Sequence, residues 1–87
     1  MTAGLGENAV KNHKARKYLV IIESAQGSNF CASVPDLPGV GVCGDTLAET
    51  KKLIQEAIDL HIRAMIADGD LVPEPTTQAE YVVTTAA

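Results

Sequence analysis

The sequence predicts an α+β domain with the element order strand, strand, strand, helix, strand. Two short segments rich in β-branched and apolar residues flank a Gly-containing turn, which is typical of an antiparallel hairpin. A longer segment follows in which apolar residues recur with a 3.6-residue period, which is typical of an amphipathic helix. These patterns predict an antiparallel three-stranded meander plus a fourth strand, with one long helix packed on one face. With 87 residues, the chain is expected to form one domain.

The first two predicted strands cover residues 17–23 and 29–34. The first is the run Lys-Tyr-Leu-Val-Ile-Ile-Glu, and the second alternates apolar and polar side chains. Gly27 supplies the turn between them. The second strand is predicted to stop at Pro35, because proline has no N–H to donate to a neighbouring strand.

Residues 35–39, Pro-Asp-Leu-Pro-Gly, form a predicted turn with two prolines. Pro35 and Pro38 fix φ, and Gly39 is free to take a positive φ. The turn is interpreted as chiefly structural, although Asp36 and Leu37 are expected to be exposed and able to contact a partner. A short third strand, residues 40–43, precedes Gly44.

The helix is predicted to begin after Thr46, because Thr46-Leu-Ala-Glu49 fits a capping box. In that motif the threonine hydroxyl accepts from the third backbone amide, and the glutamate reaches back to the amide of the cap residue. Gly69 is a natural stop, which gives about 22 residues. The apolar stripe comprises Leu53, Ile54, Ala57, Ile58, Ala64 and Met65. The opposite face is charged, and Asp59 is spaced to pair with Arg63.

Proline residues at 73 and 75 interrupt the chain before the last strand candidate, residues 80–84. The predicted organisation is a flexible, basic N-terminal arm over residues 1–16, the domain over 17–84, and a C-terminal tail over 85–87.

Composition excludes several classes of function. The net charge is −4 and the pI is about 4.9, whereas nucleic-acid binders are usually basic. Aromatic residues make up 3%, too few for a base-stacking platform. No apolar run reaches the roughly 18 residues of a membrane span, and no secretory signal is recognisable. A cytoplasmic protein without cofactor or bound metal is expected, and DNA binding is not expected from this chain alone.

The polar residues that carry chemistry have structural interpretations. Cys31 and Cys43 are too few for a zinc site and are expected to be reduced, buried and inert. His61 lies within the apolar stripe and is expected to bond a backbone carbonyl at the helix–sheet interface. A metal-dependent nuclease of the ribonuclease H-like class would need acidic residues inside the first strand, where this sequence is apolar. No catalytic residue is predicted, and the protein is not expected to be an enzyme.

Three linked motifs resemble the HicB antitoxin family: Val34-Pro-Asp-Leu-Pro-Gly39, Gly44-Asp-Thr-Leu-Ala-Glu49 and Gln55-Glu-Ala-Ile-Asp-Leu-His61. The resemblance covers residues 17 to about 81. It implies a partial ribonuclease H-like fold and neutralisation of HicA, a small mRNA-cleaving toxin, by direct protein–protein contact. The alternative is an orphan oligomeric scaffold or ligand-sensing domain without a toxin.

The sequence departs from the family pattern at three points. Many relatives carry Cys where this chain has Val40, and relatives often have Ala where it has Thr50. Full antitoxins of the family continue beyond the fourth strand into a DNA-binding domain, which this sequence does not show. Within the motifs, the residues expected to have structural roles are Pro35, Pro38, Gly39, Gly44, Thr46 and Gly69.

Charge and strand pattern suggest two interaction surfaces. Residues 45–80 contain eight acidic residues against three basic ones, so an acidic surface is available to cover a basic toxin. The candidate partner-binding residues are Asp36, Leu37, Asp45, Glu49, Glu56 and Asp59. The first strand is apolar on both faces, which predicts at least a homodimer. Its candidate interface residues are Tyr18, Val20, Ile22, Tyr81 and Val83.

Overall fold

A computed structural model describes residues 15–25 and 29–86. These residues form a three-stranded antiparallel sheet and one helix. The strands are β1 (Ile21–Ala25), β2 (Asn29–Ser33) and β3 (Gly41–Gly44), and they lie in the order β1-β2-β3. The helix, α1, spans Leu47–Ala67. The α+β class and the meander are therefore confirmed.

The register of the sheet decides which side chains face the helix. Ile22, Ala32 and Val42 lie side by side across the three strands and contribute to the core. The adjacent row contains Glu23, Cys31 and Cys43, which point to the opposite face because side chains alternate along a strand. The buried core comprises Ala32, Val34, Leu37, Val40 and Ile54.

The proline turn closes through two backbone hydrogen bonds. The Leu37 N–H donates to the Val34 carbonyl at 3.0 Å, and the Val40 N–H donates to the Leu37 carbonyl at 3.1 Å. Gly39 has φ +91°, as predicted. The expected exposure of Leu37 is wrong, because its side chain is 1% exposed and belongs to the core. The turn packs the Leu37 side chain into the core, so a partner cannot reach it.

The helix start follows the predicted capping box with one difference. The Thr46 hydroxyl accepts from the Glu49 N–H at 3.0 Å, as expected. The Glu49 carboxylate, however, accepts from the N–H of Asp45 at 2.8 Å, one residue before the cap residue. The hydrogen bonds at the helix start therefore also include Asp45, the residue that directly follows β3.

The helix ends in a Schellman motif, which confirms the predicted stop. Asp68 is the cap residue, and Gly69 follows with φ +80°. The Gly69 N–H donates to the Ile66 carbonyl at 3.1 Å, and the Asp70 N–H donates to the Met65 carbonyl at 2.9 Å. These bonds satisfy two carbonyls that the end of the helix would leave without partners.

The two ends of the predicted domain differ from the expectation. β1 begins at Ile21 rather than Lys17, so Tyr18 and Val20 precede the strand and pack against the core. Residues 70–86 contain no assigned helix or strand, and the fourth strand at 80–84 is not confirmed. Most of the predicted N-terminal arm (residues 1–14) and the turn at Gly27 lie outside the described residues. Across the described part of the chain, no helix is both long and apolar enough to span a membrane.

Candidate partner-binding surfaces

The solvent-facing side of α1 carries a stripe of charged residues. Glu49, Lys52, Glu56, Asp59 and Arg63 follow one another at alternating spacings of three and four residues, and all are exposed. This spacing places them along one face of the helix. The result is an accessible surface of mixed charge, in which acidic groups predominate.

The predicted ion pair on this face is wrong. Asp59 accepts instead from the Gln55 side-chain amide at 3.4 and 3.5 Å. Within the described ranges, no carboxylate lies within ion-pair distance of Arg63. The side chains of Glu56 and Arg63 are both exposed. Glu56 can therefore contact a cationic group of a partner, and Arg63 an anionic one.

Asp36 holds the C-terminal segment, residues 70–86, through hydrogen bonds to its carboxylate. Its carboxylate accepts four hydrogen bonds, from the backbone N–H groups of Thr76 at 3.0 Å and Thr77 at 2.9 Å and from their hydroxyls at 3.1 and 2.7 Å. The pKa of Asp36 is lowered below the ordinary aspartate value, and the largest cause is the hydrogen bond from the backbone N–H of Thr77. Asp36 was among the candidate partner-binding residues, but its carboxylate is engaged by Thr76 and Thr77 of the same chain.

The candidate partner-binding residues do not form one cluster. Asp36 precedes β3 and Asp45 follows it, so the length of that strand separates the two carboxylates. Asp45 and Glu49 lie together at the start of α1, and Glu56 and Asp59 continue along the helix. Three of the six candidates therefore lie on the helix, and Asp45 immediately precedes its cap residue.

Two further contacts attach the C-terminal segment to the residues before β1. The Tyr18 hydroxyl donates to the Pro73 carbonyl, and the Arg16 Nε lies 3.9 Å from a carboxylate oxygen of Glu74. Burial raises the pKa of Tyr18 above its ordinary value. No local sequence pattern indicates these contacts, because the paired residues are more than 50 positions apart.

An open groove of about 1270 Å³ lies between β1 with its preceding residues and α1. Its lining includes a row of aliphatic side chains: Val20, Ile22, Ile54, Ile58, Ile62 and Ile66. Four cations, Arg16, Lys17, Lys51 and Arg63, also line it, against the single acidic residue Asp59. Tyr18, Val20 and Ile22, the predicted dimer residues of the first strand, all lie along this groove.

A disulfide joins β2 to β3, so the expectation of reduced, inert cysteines is wrong. Cys31 and Cys43 are directly opposite in the register, and their sulfurs are bonded at 2.03 Å. Neither residue is buried. The prediction treated the two thiols separately. The signal for pairing was one cysteine in each of two neighbouring antiparallel strands.

His61 lies half-buried beside a shallow hollow of about 320 Å³ that is also lined by Gly39, Val40 and Leu60. The expected hydrogen bond from its ring to a backbone carbonyl is not formed with any described residue. Among the residues that the structure describes, no three His, Cys, Asp or Glu side chains converge as a metal site would require.

The fold and these surfaces define a small α+β protein whose distinguishing features are a charged helix face and an apolar groove. The family model of the HicB-like antitoxin of bacterial toxin–antitoxin systems matches residues 18–86. The chain belongs to this family.

Curated relatives agree with this assignment. A UPF0150 protein of Synechocystis is 38% identical over 55% of this chain and 67% of its own length, and a second is 37% identical over 66% and 72%. An uncharacterised 14.9 kDa protein of Haemophilus phage HP1 is 35% identical over 75% of this chain. The match spans about half of the phage protein, 48% of its length.

Proposed function

We propose that this protein is an antitoxin that neutralises a HicA-type mRNA-cleaving toxin by direct protein–protein contact. The observation that carries the proposal is the exposed charged stripe of α1, in which acidic residues predominate, in a chain that belongs to an antitoxin family. A toxin that binds RNA needs a basic surface for phosphate. An acidic helix face can cover such a surface, and opposite charges accelerate the encounter of the two proteins.

The proposed contact surface is centred on Glu49, Glu56 and Asp59, with Asp45 at its end. Glu49, Glu56 and Asp59 belong to a helix that is capped at both ends, so little ordering is required when a partner binds. Leu37 is left out of the surface because it is buried, and Asp36 because its carboxylate bonds Thr76 and Thr77. The proposal includes a cytoplasmic location, where mRNA is available to the toxin.

Charge reversal on the helix tests this proposal. Glu56→Lys combined with Asp59→Lys is expected to abolish co-purification with a toxin encoded by the adjacent reading frame, and to abolish rescue of growth on co-expression. A small basic neighbour of about 60–80 residues is the toxin to use, since that is the length of a small single domain. The matched control is Asp68→Lys combined with Asp70→Lys, which changes the net charge equally but lies beyond α1.

The control is expected to retain both binding and rescue. Equal loss in both double variants would mean that net charge rather than the helix face governs binding. If the unaltered chain neither binds nor rescues against the neighbouring toxin, the antitoxin proposal fails. The alternative, an oligomeric scaffold or ligand-sensing domain, would then be favoured.

A further inference from the structure

Among the described residues, both outer strands of the sheet, β1 and β3, have an edge without a neighbouring strand, and the edge of β1 adjoins the apolar groove. β1 pairs with β2 on one side, and no described residue pairs with its other edge. A free edge presents backbone N–H and C=O groups that are ready to bond another strand.

The register identifies the groups on this edge. The Cα atoms of Cys31 and Cys43 are 4.0 Å apart, which is the spacing of a pair without mutual backbone hydrogen bonds. Cys31 therefore directs its backbone groups towards β1, where Glu23 is its partner. Because these directions alternate along a strand, Ile22 and Ser24 direct their N–H and C=O groups towards the free edge.

The same chain carries a segment suited to such an edge. Residues 80–84, Glu-Tyr-Val-Val-Thr, are rich in residues that favour strands, yet Tyr81 is fully exposed and Val82 and Val83 are nearly so. Exposing three large apolar side chains in succession is unfavourable in water.

The path of the chain leads this segment away from its own β1. Pro73 contacts Tyr18 just before β1, whereas Thr76 and Thr77 bond Asp36 in the turn between β2 and β3. The chain thus crosses from the β1 side to the proline turn. Only two residues, Gln78 and Ala79, then remain before the segment at 80–84 begins.

We propose that residues 80–84 of one copy add as a fourth strand to the free edge of β1 in a second copy, and that the exchange is reciprocal. The added strand would cover the aliphatic row of the adjacent groove with apolar side chains from 81–83. Its Glu80 would meet a groove lined by four cations and one acidic residue. The arrangement is a closed twofold dimer, because each copy supplies the same segment and the same edge. This inference does not depend on the toxin partner.

Sedimentation equilibrium of the full chain at micromolar concentration tests the exchange with two proline variants. The unaltered chain is expected at twice its mass of 9.1 kDa. Val82→Pro removes a donor from the added strand. Ser24→Pro removes an N–H from the free edge of β1. It leaves the hydrogen bonds to β2 in place, because the Ser24 N–H is directed away from β2. Each is expected to weaken the dimer about tenfold or more, since a symmetric dimer loses the affected bond twice.

Three controls make the result specific. Thr85→Pro lies beyond the strand and Ser24→Ala leaves the edge intact, so both are expected to stay dimeric. A mixture of Val82→Pro and Ser24→Pro chains is expected to form a heterodimer, since the first keeps the edge and the second keeps the segment. Far-UV circular dichroism verifies that each variant keeps its helix. A monomeric unaltered chain, or proline variants as dimeric as the controls, would overturn the exchange.

Discussion

Gly39 sets the path of the proline turn through its backbone conformation. Its φ of +91° lies in the region that side chains with a Cβ rarely adopt, and a Cβ placed there would meet no atom within 4 Å. Any loss of stability on substitution therefore reports backbone strain rather than a clash.

Gly39→Val is expected to lower the free energy of unfolding by about 1–3 kcal/mol, because a β-branched residue is strained at positive φ. Chemical denaturation measures the change. Gly39→Asn is the matched control and should lose less, since asparagine tolerates left-handed conformations better. An unchanged unfolding midpoint in the valine variant would contradict the role assigned to this glycine.

Gly44 is required for a different reason, which is the close approach of β3 to the start of α1. A Cβ at this position would lie 2.8 Å from the Thr50 hydroxyl oxygen and 3.2 Å from the Thr50 backbone nitrogen. Thr50 is fully buried, and its single hydroxyl hydrogen is shared between the carbonyls of Thr46 at 2.8 Å and Phe30 at 3.3 Å. The Thr50 side chain therefore links the helix to β2. From the sequence alone, Thr50 was identified only as a departure from the family pattern.

Gly44→Ala is expected to cost about 1–3 kcal/mol of stability through overpacking. Thr50→Ala loses buried hydrogen bonds and is expected to cost about 1–3 kcal/mol. Combined, the two changes should cost less than their sum, because removing the hydroxyl relieves the closest contact. A double-mutant cycle by urea denaturation measures this coupling. Strict additivity would mean that the alanine at 44 is accommodated by another movement.

At the scale of the elements, the structure agrees with the sequence wherever the decisive interactions are local. The capping box at Thr46 and the stop at Gly69 depend on residues within five positions, so the helix was predicted almost to its ends. The second strand was similarly predicted, since alternation and Pro35 define it. β1 was predicted four residues too early, because an apolar run shows burial but does not show where pairing begins.

The disulfide between β2 and β3 is an element-scale feature that composition alone did not predict. Recognising it requires the register that places Cys31 opposite Cys43. Its closed loop is short, with a sequence separation of 12, and contains the proline turn. Cytosolic thiol pools usually keep such cysteines reduced, so the bond would respond to its compartment.

Reduction is expected to lower the free energy of unfolding by about 2–4 kcal/mol, the usual effect of opening a loop of this size. Urea denaturation with and without a thiol-free reductant measures the difference. The double variant Cys31→Ser with Cys43→Ser should show the lower stability under both conditions. A chain purified under oxidising conditions that is insensitive to reductant would show that the bond does not contribute to stability.

At the scale of the whole molecule, the C-terminal segment is attached by contacts between distant parts of the chain. Asp36, Tyr18 and Arg16 approach it from the proline turn and from the residues before β1. Neither these contacts nor the groove could be predicted from the sequence, since both depend on how separate elements pack. The packing places Tyr18, Val20 and Ile22, the predicted dimer residues of the first strand, beside the core and along the groove.

The attachment through Asp36 is expected to depend on pH. Its pKa is lowered in the folded chain because the carboxylate accepts from Thr77 and Thr76, so the charged form is the one that stabilises the attachment. That stabilisation is fully present above the ordinary aspartate pKa and is lost as the pH falls through the lowered value. Acid should therefore release residues 76–77 while the helix stays folded.

Amide hydrogen exchange followed by NMR across the acid range checks this prediction. Protection of the Thr76 and Thr77 amides is expected to fall on acidification, while the amide of Ile54 in the middle of the helix stays protected. Asp36→Asn should lower the protection of both threonine amides at neutral pH and remove most of its pH dependence, because the amide carries no charge to stabilise the bonds. Glu80→Gln, which neutralises an exposed acid in the same segment, should keep the acid transition unchanged. Threonine amides that remain protected in Asp36→Asn would show that other contacts hold the segment.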